Sequence, residues 1–337
     1  MNQIRLCQKI RAIPIVAAWL FISAFAAAET CQTANDMDAA TRTALTSAAD
    51  RYFSMVANGD VNSLKQNAIP AVAADFSGIA STIQAHQADL TGSKATVRPP
   101  FVLQTEGSAP TARAEFLCGV FGERGQTSNS AVFTLNNLPP GKYAIAISDA
   151  ATAKGPFSVS FVLQQVGSEW KLGGLYIKAG QIAGHDSNWY IAKAKEFQSK
   201  GQQHNAWLYY LEARSLISPL PFMSTAVTDK LYDDSQKLQP ADLPADGKPV
   251  VLSAAGATYK LSAVFPEIVG NDLDLIVRYD VASVADTNRA YQSNVAVMKG
   301  LVAKYPEVKD AFAGVVARAV DPGGHDYGTL LAMKDIK

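Results

Sequence analysis

Apolar positions in the first hundred residues recur at helical spacing, three and four residues apart. The spacing predicts helices over 36–58, 61–67 and 71–90. Asp36 and Asp38 are typical of the start of the first helix, and Asn58-Gly59 is typical of its end. Pro99-Pro100 closes the connector that follows.

After residue 100 the period changes, and short segments rich in β-branched and aromatic residues alternate with Gly, Pro, Asn and Ser. The predicted strands are 101–105, 114–121, 131–135, 143–148, 157–166 and 170–178. The last two flank the turn Val166-Gly167-Ser168-Glu169 and form a hairpin. Helices followed by an antiparallel meander predict an α+β domain over residues 29–183.

Residues 184–238 return to helical spacing and predict a helical hairpin. One series of positions nearly fits a single tetratricopeptide repeat, and the segment resembles that repeat: Ala194, Phe197, Gly201, Ala206, Tyr210, Ala213 and Pro219. A further helix is predicted over 220–237. Because a single repeat buries its core against neighbours, we expect this hairpin to pack on the flanking domains and to offer a surface to an envelope protein.

A linker with three prolines is predicted over 239–249, and a small α+β domain over 250–337. Its predicted strands are 250–253, 258–265, 273–281, 312–319 and 328–333, with a helix over 284–304 and a turn at 306–310. The whole chain is therefore predicted as α+β, with an N-terminal curved antiparallel sheet, a helical hairpin spacer and a C-terminal sheet carrying one helix.

Two N-terminal motifs resemble the nuclear transport factor two-like (cystatin-like cone) superfamily. The segment Asp50–Leu64 is similar to its opening helix, and Gly167-Ser-Glu-Trp-Lys-Leu-Gly-Gly-Leu175 to its closing strands. The resemblance covers residues 36–180 and implies a curved sheet wrapped around helices, often with a pocket. The family includes enzymes, binding proteins and structural modules. Pro139-Pro140-Gly141 resembles instead a carboxypeptidase-regulatory-like sandwich.

The first 28 residues predict a cleavable signal peptide. Arg5, Lys9 and Arg11 precede an apolar run, and Ala26–Ala28 offers a cleavage site before Glu29. An uncleaved membrane anchor is the alternative, but the apolar run is shorter than the roughly 20 residues that span a bilayer. The residues before Cys31 do not fit a lipoprotein signal. We therefore expect a periplasmic or extracellular protein.

Charge and cysteine content restrict the partners and the compartment. Without Arg5, Lys9 and Arg11 the chain has 27 basic and 30 acidic residues, a net charge of −3, which argues against a nucleic-acid partner. Removal of Cys7 leaves Cys31 and Cys118, which predict a disulfide in an oxidising compartment. The alternative is two unpaired thiols.

Two Gly-His-Asp sequences are the first candidates for chemistry. His185-Asp186 and His325-Asp326 could supply a base and its orienting carboxylate, or metal ligands. Local roles account for both: Asp186 or Ser187 as a helix cap, and the second sequence as a hairpin loop. His86 and His204 have no ligand spacing, which favours surface or half-buried roles. We expect no metal at these histidines.

The remaining candidates are acids. Asn271-Asp272-Leu273-Asp274 lacks the glycine and glutamate of an EF-hand loop and predicts a solvated turn. Asp50, Asp75 and Glu115 are the acids considered as a general base in a cone pocket. The sequence thus favours a non-enzymatic exported binding protein of the cell envelope, without a cofactor. The alternative is a small-molecule binder or an isomerase- or hydrolase-type enzyme that uses the cone.

Overall fold

The computed structural model describes residues 29–245 and 247–337, which form a mixed α+β structure. The predicted signal peptide lies outside the described residues. The helices are α1 Ala39–Ala57, α2 Val61–Gln66, α3 Pro70–Ala74, α4 Ser77–Leu90, α5 Ser187–Ser199, α6 Gln203–Ile217, α7 Ala226–Gln236 and α8 Thr287–Lys304, with 3₁₀ turns at Pro306–Asp310 and Met333–Asp335. Within these ranges no helix combines the length and the apolar character needed to cross a membrane.

The strands form three sheets. They are β1 Thr30–Gln32, β2 Lys94–Val97, β3 Phe101–Thr105, β4 Thr111–Gly122, β5 Gly125–Leu138, β6 Gly141–Thr152, β7 Gly155–Val166, β8 Glu169–Ala179, β9 Met223–Ser224, β10 Val250–Ala254, β11 Ala257–Val269, β12 Asp272–Asp280, β13 Gly314–Val320 and β14 Asp326–Ala332. The central sheet has the order β1-β3-β6-β7-β8, with β2 also pairing with β6. The other two have the orders β4-β5-β9 and β10-β11-β12-β13-β14.

One face of the central sheet is covered by α1–α4. Asp38 caps α1 by accepting a 2.7 Å hydrogen bond from the Thr41 N–H. The buried side of α1 brings Tyr52 against Phe161, with ring centroids 5.8 Å apart. The Tyr52 hydroxyl donates a 2.8 Å hydrogen bond to the Trp170 carbonyl on β8. The space between helices and sheet is therefore filled by large side chains.

The opposite face of the central sheet is covered by β4 and β5. Tyr143 and Ile145 on β6 pack there against Phe116 and Phe133. The predicted single meander is thus wrong, because β4 and β5 leave its path and β6 pairs with β3 and β7. Both faces of β6 are buried, so the sheet needs a second layer. The disulfide Cys31–Cys118, with Cα atoms 5.2 Å apart, joins β1 to β4 across the two sheets.

Two predicted helices are interrupted. The helix predicted over 71–90 is divided into α3 and α4, because Asp75 has the non-helical backbone angles φ −130° and ψ 84°. The helix predicted over 220–237 begins only at Ala226, after the short strand β9. Pro221 disfavours a helical conformation at Leu220, and Thr225 then caps α7.

Helix α6 packs against α5, α7 and strand β11 of the C-terminal sheet. Most of its residues are buried, and its apolar side chains share one continuous core with α5 and the C-terminal sheet. Helix α8 connects the parallel strands β12 and β13 and covers one face of that sheet. Strand β10 forms one edge of the sheet, beside α8.

Candidate partner-binding groove

The two Gly-His-Asp sequences have local roles in the structure. Asp186 caps α5 by accepting a 2.9 Å hydrogen bond from the Trp189 N–H, and the ring of His185 stacks on Trp189 at 3.6 Å. His325 lies in the turn between β13 and β14, where its Nδ1 is 3.3 Å from Asp321. The side-chain contacts of both histidines therefore stay within their own segments.

The acids considered as a general base do not lie in the N-terminal core. Asp50, Asp75 and Glu115 are all exposed. The prediction of a solvated turn at 271–274 is wrong for Asp274, which is buried in β12. The pKa of Asp274 is raised, mainly because burial removes its hydration and secondly because of the charge of Asp272. A hydrogen bond from the Gly314 N–H acts to lower this pKa.

An apolar groove of about 740 Å³ lies between the edge strand β10 and α8. Residues 251–255 form one wall, and Ala296, Gly300 and Ala303 form the other. These three residues recur at helical spacing and so lie on one side of α8. Lys299 and Lys304 stand at the rim and are both exposed. The groove thus combines an apolar floor with two positive charges.

A close contact holds α8 beside β10. A Cβ atom at Gly300 would lie 2.5 Å from the Cβ of Ala254, closer than two carbon atoms can approach. Only glycine permits this approach without a shift of the helix or the strand. The distance between the two groove walls therefore depends on Gly300.

The turn between β10 and β11 determines which backbone groups of β10 are free. Ala255 and Gly256, with φ of 49° and 74°, form a two-residue turn flanked by the pair Ala254–Ala257. This pair and every second pair after it exchange hydrogen bonds. The N–H and C=O groups of Val251 and Ser253 therefore point away from β11. Val251 is 61% exposed.

Two titratable side chains of α6 lie at its junction with the rest of the chain. Nδ1 of His204 is 2.6 Å from Glu307 and Nε2 is 2.9 Å from Asp242. Loss of hydration acts to raise the pKa of Asp242, but the hydrogen bond and charge of His204 outweigh it and lower the pKa. The spacing of these residues in the sequence did not indicate the cluster, because its members lie on α6, the linker and the turn after α8.

Glu212 is the second such group and is only 7% exposed. Burial, and then the charge of Glu267 on β11, raise its pKa to about 7. The sequence predicted that the hairpin packs on the flanking domains, but it did not identify Glu212 as one of the covered residues.

The groove was also not identified from the sequence, although two signals were present. Ala255-Gly256 between apolar runs indicates a tight hairpin, and the small residues of α8 indicate a close neighbour. Neither signal shows which strand forms the edge of the sheet, because that depends on the strand order.

Comparison with known proteins gives no match: no protein-family model, no curated protein and no solved structure is significantly similar to this chain.

Proposed function

We propose that this chain is an exported, non-enzymatic interaction protein of the cell envelope that binds an extended segment of another protein along β10. The observation that carries this proposal is the outer edge of β10, which no strand among residues 29–245 and 247–337 pairs with, beside an apolar groove. An incoming strand could hydrogen-bond to Val251 and Ser253 and place alternate side chains against α8. Natural proteins commonly protect such edges with charges, proline or a bulge. The segment Val250–Ala254 contains no charged residue and no proline.

Two features make β10 a better candidate than the sites suggested by the resemblances. In the N-terminal part of the chain, a pocket of the cone type would lie between α1–α4 and the central sheet, and Tyr52 and Phe161 are buried there in one apolar cluster. The apolar surface of α6 is covered within the chain, so the hairpin supports the C-terminal sheet. Membership of the cone superfamily remains a prediction.

The test is a proline substitution at the edge. The N–H of Val251 points away from β11, so Val251→Pro removes a donor that the native sheet does not use. Val251→Thr is the matched control, because it keeps both the N–H and β-branching. Binding of three fluorescein-labelled heptapeptides, in which Val alternates with Glu, Thr or Lys, is measured by fluorescence anisotropy.

Val251→Thr should bind as the wild type does, and Val251→Pro should bind about tenfold more weakly, since one lost hydrogen bond and a disturbed neighbour cost about 1.4 kcal/mol. Circular dichroism should show that both variants are folded. The proposal is wrong if no heptapeptide binds the wild type, or if both variants bind equally well.

A further inference from the structure

We propose that the segment bound along β10 is acidic, with carboxylates alternating with β-branched residues. This inference rests on the proposed function and specifies the partner of the same groove. Two observations support it: the positive charges at the groove, and the direction in which the side chains of a strand paired with β10 would point.

The groove is positive in a chain whose predicted mature form is negative. The described residues that line it include Lys299 and Lys304 and no acid. The mature chain, by contrast, has a predicted net charge of −3. A positive site on such a background selects a negatively charged partner by electrostatic complementarity.

The pairing pattern predicts which partner side chains meet the lysines. The side chains of Leu252 and Ala254 are on the α8 side of β10, and those of Val251 and Ser253 are on the other side. Partner residues opposite the first pair therefore point over the small residues of α8. The small residues Ala296, Gly300 and Ala303 keep this wall of the groove low. The flexible stem of Lys299 can bring its ammonium group to a glutamate carboxylate there, and that of Lys304 can do so by leaving the face of Tyr305, where its Nζ lies 5.0 Å from the ring centroid.

The outer positions of the added strand have a different environment. There the partner residue lies beside the exposed side chain of Val251. Cross-strand pairs of β-branched residues stabilise sheets, so Val, Ile or Thr is favoured at these positions. The expected segment therefore alternates between an acidic residue and a β-branched residue.

A second copy of this chain is the competing occupant. Pairing two β10 strands about a two-fold axis would bring the lysines of both copies toward the same interface, where like charges repel. An acidic segment replaces this repulsion with attraction.

The experiment compares the same three heptapeptides, blocked at both ends. In 20 mM salt the Glu peptide should bind about fivefold more tightly than the Thr peptide, and the Lys peptide should bind most weakly, since two exposed ion pairs contribute modestly. The differences should shrink in 500 mM salt because exposed charges are screened. The double variant Lys299→Glu plus Lys304→Glu should reverse the order.

The matched control is Lys65→Glu plus Lys195→Glu, which changes the net charge equally at exposed positions on α2 and α5. It should keep the wild-type order. Equal binding of all three peptides, with weaker binding by Val251→Pro, would overturn the acidic partner and leave the proposed function intact. A wild-type dimer in sedimentation velocity that Val251→Pro makes monomeric would also overturn it, because the occupant would then be a second copy.

Discussion

At the residue scale, Glu212 is a carboxyl group held where its charge is disfavoured. Its pKa is raised from the ordinary 4.5 to about 7, so the folded protein keeps a proton that the unfolded chain releases. The stability that this proton supplies is complete below about pH 4.5 and is lost as pH rises through about 7. Glu212 therefore makes the folded state less stable at alkaline pH.

Glu212→Gln should remove this pH dependence. We expect the free energy of unfolding of the variant, relative to that of the wild type, to rise by on the order of 2 kcal/mol when the pH is raised from 4.5 to 8. Urea unfolding at both pH values measures the change, and comparing differences cancels the effect of the new amide. Glu267→Gln, which removes the second cause of the shift, should reduce the wild-type pH dependence partly. A constant difference between Glu212→Gln and wild type would contradict this account.

His204 is held by two carboxylates, and the structure predicts that its loss is costly. His204→Ala leaves Asp242 and Glu307 without their shared donor, so we expect a loss of about 1–3 kcal/mol in the free energy of unfolding. His325→Ala is the control, because that ring is exposed and touches only Asp321 among the described side chains. The control should stay within about 0.5 kcal/mol of wild type. Equal effects would show that the cluster does not stabilise the junction.

Local residue roles could be predicted from the sequence, whereas long-range ones could not. The cap at Asp186 depends only on the next three residues, and its prediction is confirmed by the hydrogen bond to Trp189. His204 is half-buried, one of the two roles predicted for it, but its two carboxylate partners could not be predicted because they are 38 and 103 residues away. Contacts at such separations depend on how the layers stack, and no residue pattern near His204 contains that information.

At the element scale, α5 and α6 approach closely at small residues. Ala206 is fully buried on α6. Ala206→Leu should lower the free energy of unfolding by about 1–3 kcal/mol, because extra methyl groups force packed helices apart. Ala192→Leu, at an exposed position of α5, is the matched control. Thermal denaturation measures both, and an equally small change in each would remove support for the packed hairpin.

The periodicity of apolar positions predicted most helices and strands. It missed those elements whose burial does not follow a helical or an alternating pattern. Phe101–Thr105 is confirmed at its predicted bounds. Strand β2 lies within the predicted connector, because Lys94–Val97 is too short to show a period and is ordered by its pairing with β6. The sequence also did not predict that β10 lies at the edge of its sheet, since the strand order depends on the parallel crossover through α8.

At the scale of the whole molecule, the disulfide connects layers that are distant in sequence. It closes a loop between positions separated by 87 residues. The double variant Cys31→Ser plus Cys118→Ser should lose about 2–4 kcal/mol, because the unfolded chain gains freedom. Urea unfolding measures the loss. The same loss on reduction of the wild type would confirm the origin, and an unchanged midpoint in both would contradict it.

The export prediction concerns residues outside the described range and has its own test. Cleavage after Ala28 should give a mature protein that begins at Glu29. Intact-mass measurement of the protein recovered from outside the cytoplasm checks this. Recovery of a chain that still begins with Met1 would show that the segment is not removed.

The covering of α6 by the C-terminal sheet has a consequence for biosynthesis. Synthesis proceeds from the N-terminus, so α6 is complete before the residues that cover it exist. The Tyr209 hydroxyl, for example, donates its hydrogen bond to the carbonyl of Ala311, 102 residues later. A nascent chain that stops at the linker therefore exposes an apolar helix, and such surfaces aggregate or recruit chaperones. The last quarter of the chain thus decides whether the partly made protein stays in solution long enough to finish folding.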